Sequence, residues 1–446
     1  ARESRRTWTS PLSLPDRSNQ PRRVLSPGLP TRGHPIAQSP RDKSAVFVDD
    51  LRQVVTNRAL AYERAGQSWR MDMRLEDRGG RVDEVDGREV TLEALRHAGS
   101  RGKAVEGMRE GARRIARRLA GEARIHGAIS LGGAEGAVLA AAVMQELPLG
   151  LPKSIVSPIA SGRRTFGPFV GIADVSVTHS VVDILGLNTI ARPIYDTAAA
   201  GVAGAAHAYA KRPRNGDPTA GRRQVAATML GNTTRPLMSI RRRFEAECGD
   251  LVIFHANGVG GAALEALVEA GRVDGVIDYT LSEIIGHIAG GFHDAGPTRL
   301  EAAGRRGLPQ VVVPGCVDFM VCGPRDEMPA HWRGRPSYFH NPEFTLVRAT
   351  RDEQLEAARQ IAAKLNAARG RVVLMVPTRG LSVPNCEVDQ LGAPGAFWDP
   401  PLDAAFRLAL RRDLDSRIEY RELDAHINDD SFALAVLETA KAVFPG

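Results

Sequence analysis

An α/β fold with parallel sheets, in two domains behind an irregular N-terminal segment, is what the sequence predicts, and three observations carry the prediction. Short apolar runs alternate with segments of ten or more residues whose apolar positions recur at helical spacing, the pattern of parallel strands joined by helices. Glycine-rich corners follow several of those runs, and an open parallel sheet takes its ligand outside the carboxyl ends of its strands. Between two halves that share this grammar lies "KRPRNGDPTAGRRQ" (211–224), a linker of proline, glycine and charge without period. The length of 446 residues agrees, because a single core rarely serves so long a chain and two domains of about 200 residues are expected.

Each element has its own justification. Residues 1–45 are rich in proline, serine and arginine and hold no period, so they read as disordered or irregular. The first α/β domain is placed at 46–210. In it "AVFVDDLRQVVTNRALAYERA" reads as a strand running into a helix, and "MRLEDRGGRVDEVDGREVTLEAL" as a hairpin around Gly79-Gly80 with a helix starting at Thr91. "GKAVEGMREGARRIARRLAGEARIH" is an amphipathic helix, "GAISL" a buried strand, and "GGAEGAVLAAAVMQEL" a glycine corner opening a helix of small residues. "PKSIVSPIASG" and "GIADVSVTH" supply two more strands, and the alanine-rich "TAAAGVAGAAHAYA" closes the domain as a helix. The second domain, 225–446, repeats the order: "VAATML" before "GNTTRPLMSIRRRFEAE", "DLVIFHA" before "NGVGGAALEALVEAG", and "GVIDYT" before "LSEIIGHIAGG". The strand "PQVVVPG", the helix "RDEQLEAARQIAAKLNAAR", the strand "RVVLMVP" and the helix "SFALAVLETAKAVF" complete it.

Composition removes several classes of function. The net charge of +7 comes largely from arginines set beside acids on helix surfaces, as in "ARRIARRLAGEAR" and "SIRRRFEAE", and with 5% aromatics there is little to stack bases on; no nucleic-acid partner is expected. Cys248, Cys316, Cys322 and Cys386 show no CxxC spacing, so neither a zinc knuckle nor a disulfide framework is suggested, and a reducing cytoplasm fits. No apolar run approaches the length of a membrane span and no signal peptide is present, so neither membrane insertion nor export is expected.

The chemistry concentrates at the corners. "GGAEGA" (132–137) follows a strand and opens a helix; Gly132, Gly133 and Gly136 serve either as a backbone nest for phosphate or as the means of packing helix against strand, and Glu135 can meet a metal that accompanies phosphate. "NGVGG" (257–261) is a second such corner, with the amides of Gly258, Gly260 and Gly261 as anion binders beside Asn257, and with His255 at the strand end as a base or phosphate donor or as a histidine satisfied by a backbone carbonyl. In a third, "TMLGNTTR" (228–235), Thr233, Thr234 and Arg235 contact phosphate or carboxylate oxygens, or a threonine caps the helix. Ser161 and Gly162 in "SPIASG" read as anion-binding backbone, and Asp318 in "VPGCVDFM" is a carboxylate just after a buried strand. Asp424, His426, Asn428, Asp429 and Asp430 crowd "ELDAHINDDSFA" (422–433), as helix cap or as an oriented base. His255, Asp318 and His426 are therefore the candidates for proton transfer. Glu283, His287 and His293 offer an alternative reading as a metal-dependent hydrolase, although their spacing matches no standard zinc signature and no metal site is assigned. Exchanging Gly260 for a bulky residue is expected to abolish ligand binding with the fold intact.

Taken in order, "ISLGGAEGA", "LPLGLPKSIVSPIASG", "DVSVTHSVVDILGLN", "ATMLGNTT", "FHANGVGGAALEAL", "GGFHDAGPTRLEAAGRRGLPQVVVPGCVDF", "HNPEFTLVRAT" and "ELDAHINDDSFA" resemble the family of the tomato mosaic virus resistance protein over residues 101–446. The resemblance implies two Rossmann-like domains, binding of ATP or a related nucleotide with Mg2+, and a homodimer. The corners depart from the family's GGSGGT and HATGTGG: Ala137 and Val259 stand where the family carries threonine. The family's opening strand and "GTLDTK"-like turn have no counterpart in residues 1–100, which leaves "AVFVD" as a substitute strand. The function expected is thus binding of a phosphorylated small molecule, by an enzyme of unassigned reaction or by a non-catalytic module that holds a protein partner.

Overall fold

Apolar runs that carry no polar face need cover on both sides, and two parallel sheets flanked by helices supply it. The computed structural model describes residues 101–160, 167–184, 187–212 and 221–444, with five short strands between residues 45 and 91. These residues belong to one unit, Ser44–Gly446. Residues 1–44, the foreseen irregular segment apart from Ala45, and Ser161 and Gly162 lie outside the described residues.

Strand β1 (Ala45–Phe47) is followed by two antiparallel hairpins, β2 (Tyr62–Arg64) with β3 (Gln67–Trp69) and β4 (Arg81–Val85) with β5 (Arg88–Thr91). Helix α1 (Arg101–Gly121), β6 (Ile125–Leu131), α2 (Ala134–Met144), β7 (Lys153–Ser157), the single turn α3 (Gly167–Val170), β8 (Ser176–His179) and α4 (Ala191–Ala210) follow. β1, β6, β7 and β8 form a parallel sheet in that order, so the strand foreseen in "AVFVD" takes the edge beside β6, with Val46 opposite Gly127. Tyr62–Arg64, expected in a helix, is a strand. β4 and β5 pair with Val85 opposite Arg88, so the reversal follows Val85, where the sequence offers an Asp-Gly pair suited to a two-residue turn, and not Gly79-Gly80; Thr91 ends β5, and residues 92–100, on which the expected helix falls, lie outside the described residues.

The second half begins with β9 (Gln224–Met229), α5 (Thr234–Glu247), β10 (Asp250–His255), α6 (Val259–Glu269), β11 (Gly275–Thr280), α7 (Ser282–Ala289), α8 (Ala302–Arg305) and β12 (Gln310–Gly315). An antiparallel excursion comes next, β13 (Phe319–Cys322), β14 (Ser337–Asn341) and β15 (Phe344–Arg348), paired in the order β13-β15-β14. Helix α9 (Arg351–Asn366), β16 (Val372–Pro377), α10 (Pro400–Asp413), β17 (Glu419–Leu423) and α11 (Asp430–Val443) complete the chain. The six parallel strands run in the order β10-β9-β11-β12-β16-β17. Every residue of β11, β12 and β16 is buried, since one layer of helices packs Ile277, Val311 and Val373 against Phe244 and Phe432 while the other packs Val312 and Leu374 against Ile361 and Phe406. Among the described residues no helix is long and apolar enough to cross a membrane.

Candidate functional site

The order β10-β9-β11 reverses the winding of the sheet: the chain leaves β9 toward β10, then returns past β9 to form β11. Loops leaving a sheet in opposite directions open a crevice outside the strand ends. At this reversal β9 is followed by a 3-10 turn, Gly231–Thr233, and by α5, which no side chain among the described residues caps. The Thr233 hydroxyl is buried in the brace of the corner, 2.8 Å from the Thr280 hydroxyl, and it accepts a bond from the Leu230 amide at 3.0 Å. The Thr234 hydroxyl donates to the Leu230 carbonyl, and the exposed Arg235 pairs with Asp430 at 3.4 Å. Beyond the corner there is room: a Cβ on Gly231 would find only His340 Cε1, at 3.8 Å.

Three histidines gather near this corner from separate elements. His255 ends β10 and is exposed, His293 lies in the loop after α7, and His340 is exposed on β14. Burial first, then the neighbouring His255 and His340, pushes His293 down to about 4, so it is neutral at pH 7. Its Nδ1 is buried without a hydrogen-bond partner among the described residues. Exposed Phe292 and Phe339 adjoin His293 and His340 in the chain. Sequence reading singled out His255 but missed His340, whose stretch has no period and reaches Gly231 only through the antiparallel excursion.

The corner at 257–261 faces inward. Glu283 is fully buried, and its Oε1 accepts the Gly258 amide at 2.7 Å and the Gly261 amide at 2.9 Å, while the Gly260 amide donates to Asn257 Oδ1 at 3.2 Å. Glu283 Oε2 accepts Arg299 Nε at 2.7 Å. The buried Arg299 also grips Asp278 with two bonds of 2.6 Å and lies 3.4 Å from Glu265, whose carboxylate takes the amides of Leu300, Glu301 and Ala302. A protein carboxylate thus holds the amides that this corner was expected to offer an anion. The hydrolase reading gains no support from this geometry, because Glu283 is consumed, His287 bonds Asp294 at 2.9 Å, and the described residues hold no trio of His, Cys, Asp or Glu placed for a metal.

Two of the proton-transfer candidates are enclosed. Asp318 is fully buried, accepts the Ser382 hydroxyl at 2.6 Å on Oδ2, and leaves Oδ1 without a partner among the described residues. His426 donates from Nε2 to the carbonyls of Ser382 and Asn385 at 3.0 and 3.1 Å, while its Nδ1 accepts the Asn428 amide at 3.2 Å, so both ring nitrogens are committed to the loop. Burial pushes Asp318 up to about 6, above its ordinary 3.8. A raised carboxylate adds stability below its ordinary value and loses it as pH rises through 6, whereas His293, lowered from 6.5, adds stability at neutral pH and loses it as pH falls through 4. Each contribution is on the order of 3 kcal/mol, and the two oppose one another over nearly the same window. Urea midpoints between pH 4 and 7 are therefore expected to fall on acidification in Asp318→Asn and to rise in His293→Gln, with the wild type between them. Three parallel pH profiles would overturn this assignment.

In the first sheet, Gly132 lets the end of β6 approach α2, since a Cβ there would lie 2.8 Å from Gly136 Cα. Gly133 is the N-cap of α2, has no capping side chain, and has no atom within 4 Å of where its Cβ would stand, while Glu135 sits in the helix's first turn. An aspartate at 133 has space to cap those amides. Gly133→Asp is accordingly expected to raise stability by a few tenths of a kcal/mol, read from the urea midpoint.

Both halves match known sequences. Residues 77–211 match the N-terminal domain, and residues 222–444 the C-terminal domain, of the Uncharacterised protein family (UPF0261). A UPF0261 protein of Clostridium tetani is 35% identical over 347 residues, 78% of this chain and 83% of that one. A UPF0261 protein of Rhizobium meliloti is 36% identical over 346 residues, 77% of this chain and 82% of its own length. The ToMV resistance protein Tm-1(GCR237) of Solanum lycopersicum is 32% identical over 327 residues, which are 73% of this chain but 42% of the tomato protein. The resemblance drawn from the motifs holds, and its match begins at residue 77, ahead of the residue 101 from which the motifs sharpen.

Proposed function

The chain belongs to the uncharacterised protein family UPF0261, and on that footing we propose that it binds a phosphorylated small molecule, a nucleotide of the ATP kind, at the carboxyl ends of β9 and β11, and acts on it as an acid–base enzyme. One observation carries the reading: at the reversal of the sheet an open glycine corner stands beside three histidines, one of them neutral and with an unpartnered ring nitrogen. In this reading the uncapped start of α5, with Thr234 and Arg235, takes the phosphate. His255 and His293 exchange a proton with the ligand, His340 closes over the corner, and Thr233 holds the corner's shape from below.

Thermal midpoints with and without ATP, each with and without magnesium, test the proposal, since a ligand that binds only the folded state must raise the midpoint. The Gly231→Asp variant has room for its Cβ, so its unliganded midpoint is expected within about 2 °C of wild type while the rise with ATP disappears. Gly133→Asp is expected to keep the rise. The reverse pattern moves the phosphate to the first sheet, and the absence of any rise in the wild-type protein overturns the proposal.

A further inference from the structure

We propose that a cavity of about 350 Å3 at the starts of α9 and α10 binds a second small ligand, a carboxylate or phosphate monoester that also carries a hydroxyl or amino donor. Arg335, Arg348, Thr350, Arg351, Asp399 and Leu402 are among the residues lining it. Helices of 16 and 14 residues begin at this cavity, so the positive ends of two dipoles meet there. Their amides are largely spoken for. Thr350 and Glu353 close a capping box on α9, Asp399 accepts the Leu402 amide at 3.1 Å, and Pro400 and Pro401 have no N–H to offer. Recognition of an anion therefore falls to the guanidinium groups.

Those groups are unevenly engaged. Arg335 directs Nη1 at Glu353, at 2.9 and 3.1 Å. Arg348 has a side chain only 6% exposed; it holds the Asp318 carbonyl at 2.9 Å and Asp403 at 3.1 Å, yet its Nε is buried without an acceptor among the described residues. Leaving a buried donor unpaired is costly, and a ligand oxygen relieves that cost. Arg351 has neither an ion pair nor a side-chain hydrogen bond among the described residues and is exposed at the first position of α9. Asp399 in the same wall disfavours a bare dianion and rewards a ligand that brings a donor of its own. The strand-end site of β9 and β11 contributes none of these residues, so the two sites can fail separately.

Calorimetric titration of the full chain with glycerol 3-phosphate, lactate, serine and inorganic phosphate, at constant ionic strength, tests the assignment. Saturable binding in the millimolar range is expected for at least one of the first three, weaker for inorganic phosphate, and Arg351→Gln is expected to weaken it about tenfold with an unchanged thermal midpoint. Gly231→Asp, which addresses the other site, is expected to leave it unchanged. No saturable binding, equal binding by Arg351→Gln, or loss of binding in Gly231→Asp each overturns the proposal.

Discussion

Replacing Arg299 with methionine is expected to destabilise the chain by about 3–5 kcal/mol at neutral pH, the cost of removing one partner from a buried ionic cluster. Arg299 is 1% exposed and is the cation shared by Asp278 on β11, Glu283 at the start of α7 and Glu265 on α6. Each carboxylate has other donors, the Thr228 hydroxyl for Asp278 and backbone amides for the two glutamates, but none of those donors brings a full charge. Methionine fills much of the volume and leaves three carboxylates facing one another. Urea midpoints at pH 7 check this, and a loss below about 1 kcal/mol would mean that the amides alone hold the cluster.

Regular elements were legible where burial imposes a period. β12 and β16 carry continuous apolar runs because both of their faces are covered, β11 interrupts its run only with the buried Asp278 and Thr280, and α5 and α9 show their buried stripes directly. The antiparallel excursion was not legible: its strands are four and five residues long, two of them lie between 3-10 turns and prolines, and β14 is mostly exposed, so neither alternation nor length marks it. Helix α10 was missed because Pro400-Pro401 reads as a break, although Asp399 before it is an N-cap and proline is tolerated in the first turn. The glycine corners were visible as corners, but what each one faces is decided by residues remote in sequence. Glu283 stands 25 positions from Gly258, and nothing local to "NGVGG" announces that a carboxylate fills it. Asp318 was legible as a strand-end carboxylate, whereas its burial depends on Ser382 and Arg348, which only the fold brings to it.

That distinction changes what a glycine substitution can report. A bulky residue at 260 is expected from the sequence to remove a ligand and spare the fold, but a Cβ at Gly260 would lie 1.9 Å from the His255 carbonyl oxygen, and one at Gly261 would lie 1.8 Å from Glu283 Oε2. The first obstacle is backbone at the end of β10; the second is a carboxylate already fixed by Arg299 and by the Gly258 amide. Alanine gains about 1 kcal/mol of helix propensity over glycine at the start of α6, yet overlaps this deep force backbone or cluster to move, at a cost of about 3 kcal/mol or more. Gly260→Ala and Gly261→Ala are therefore both expected to lower the urea midpoint, and Gly261→Ala combined with Arg299→Met should cost less than the two losses added, because both strike the same carboxylate. Strict additivity would separate the corner from the cluster. Wild-type stability in either alanine variant would show that α6 can draw back from the strand end, which is what opening these amides to a phosphate requires.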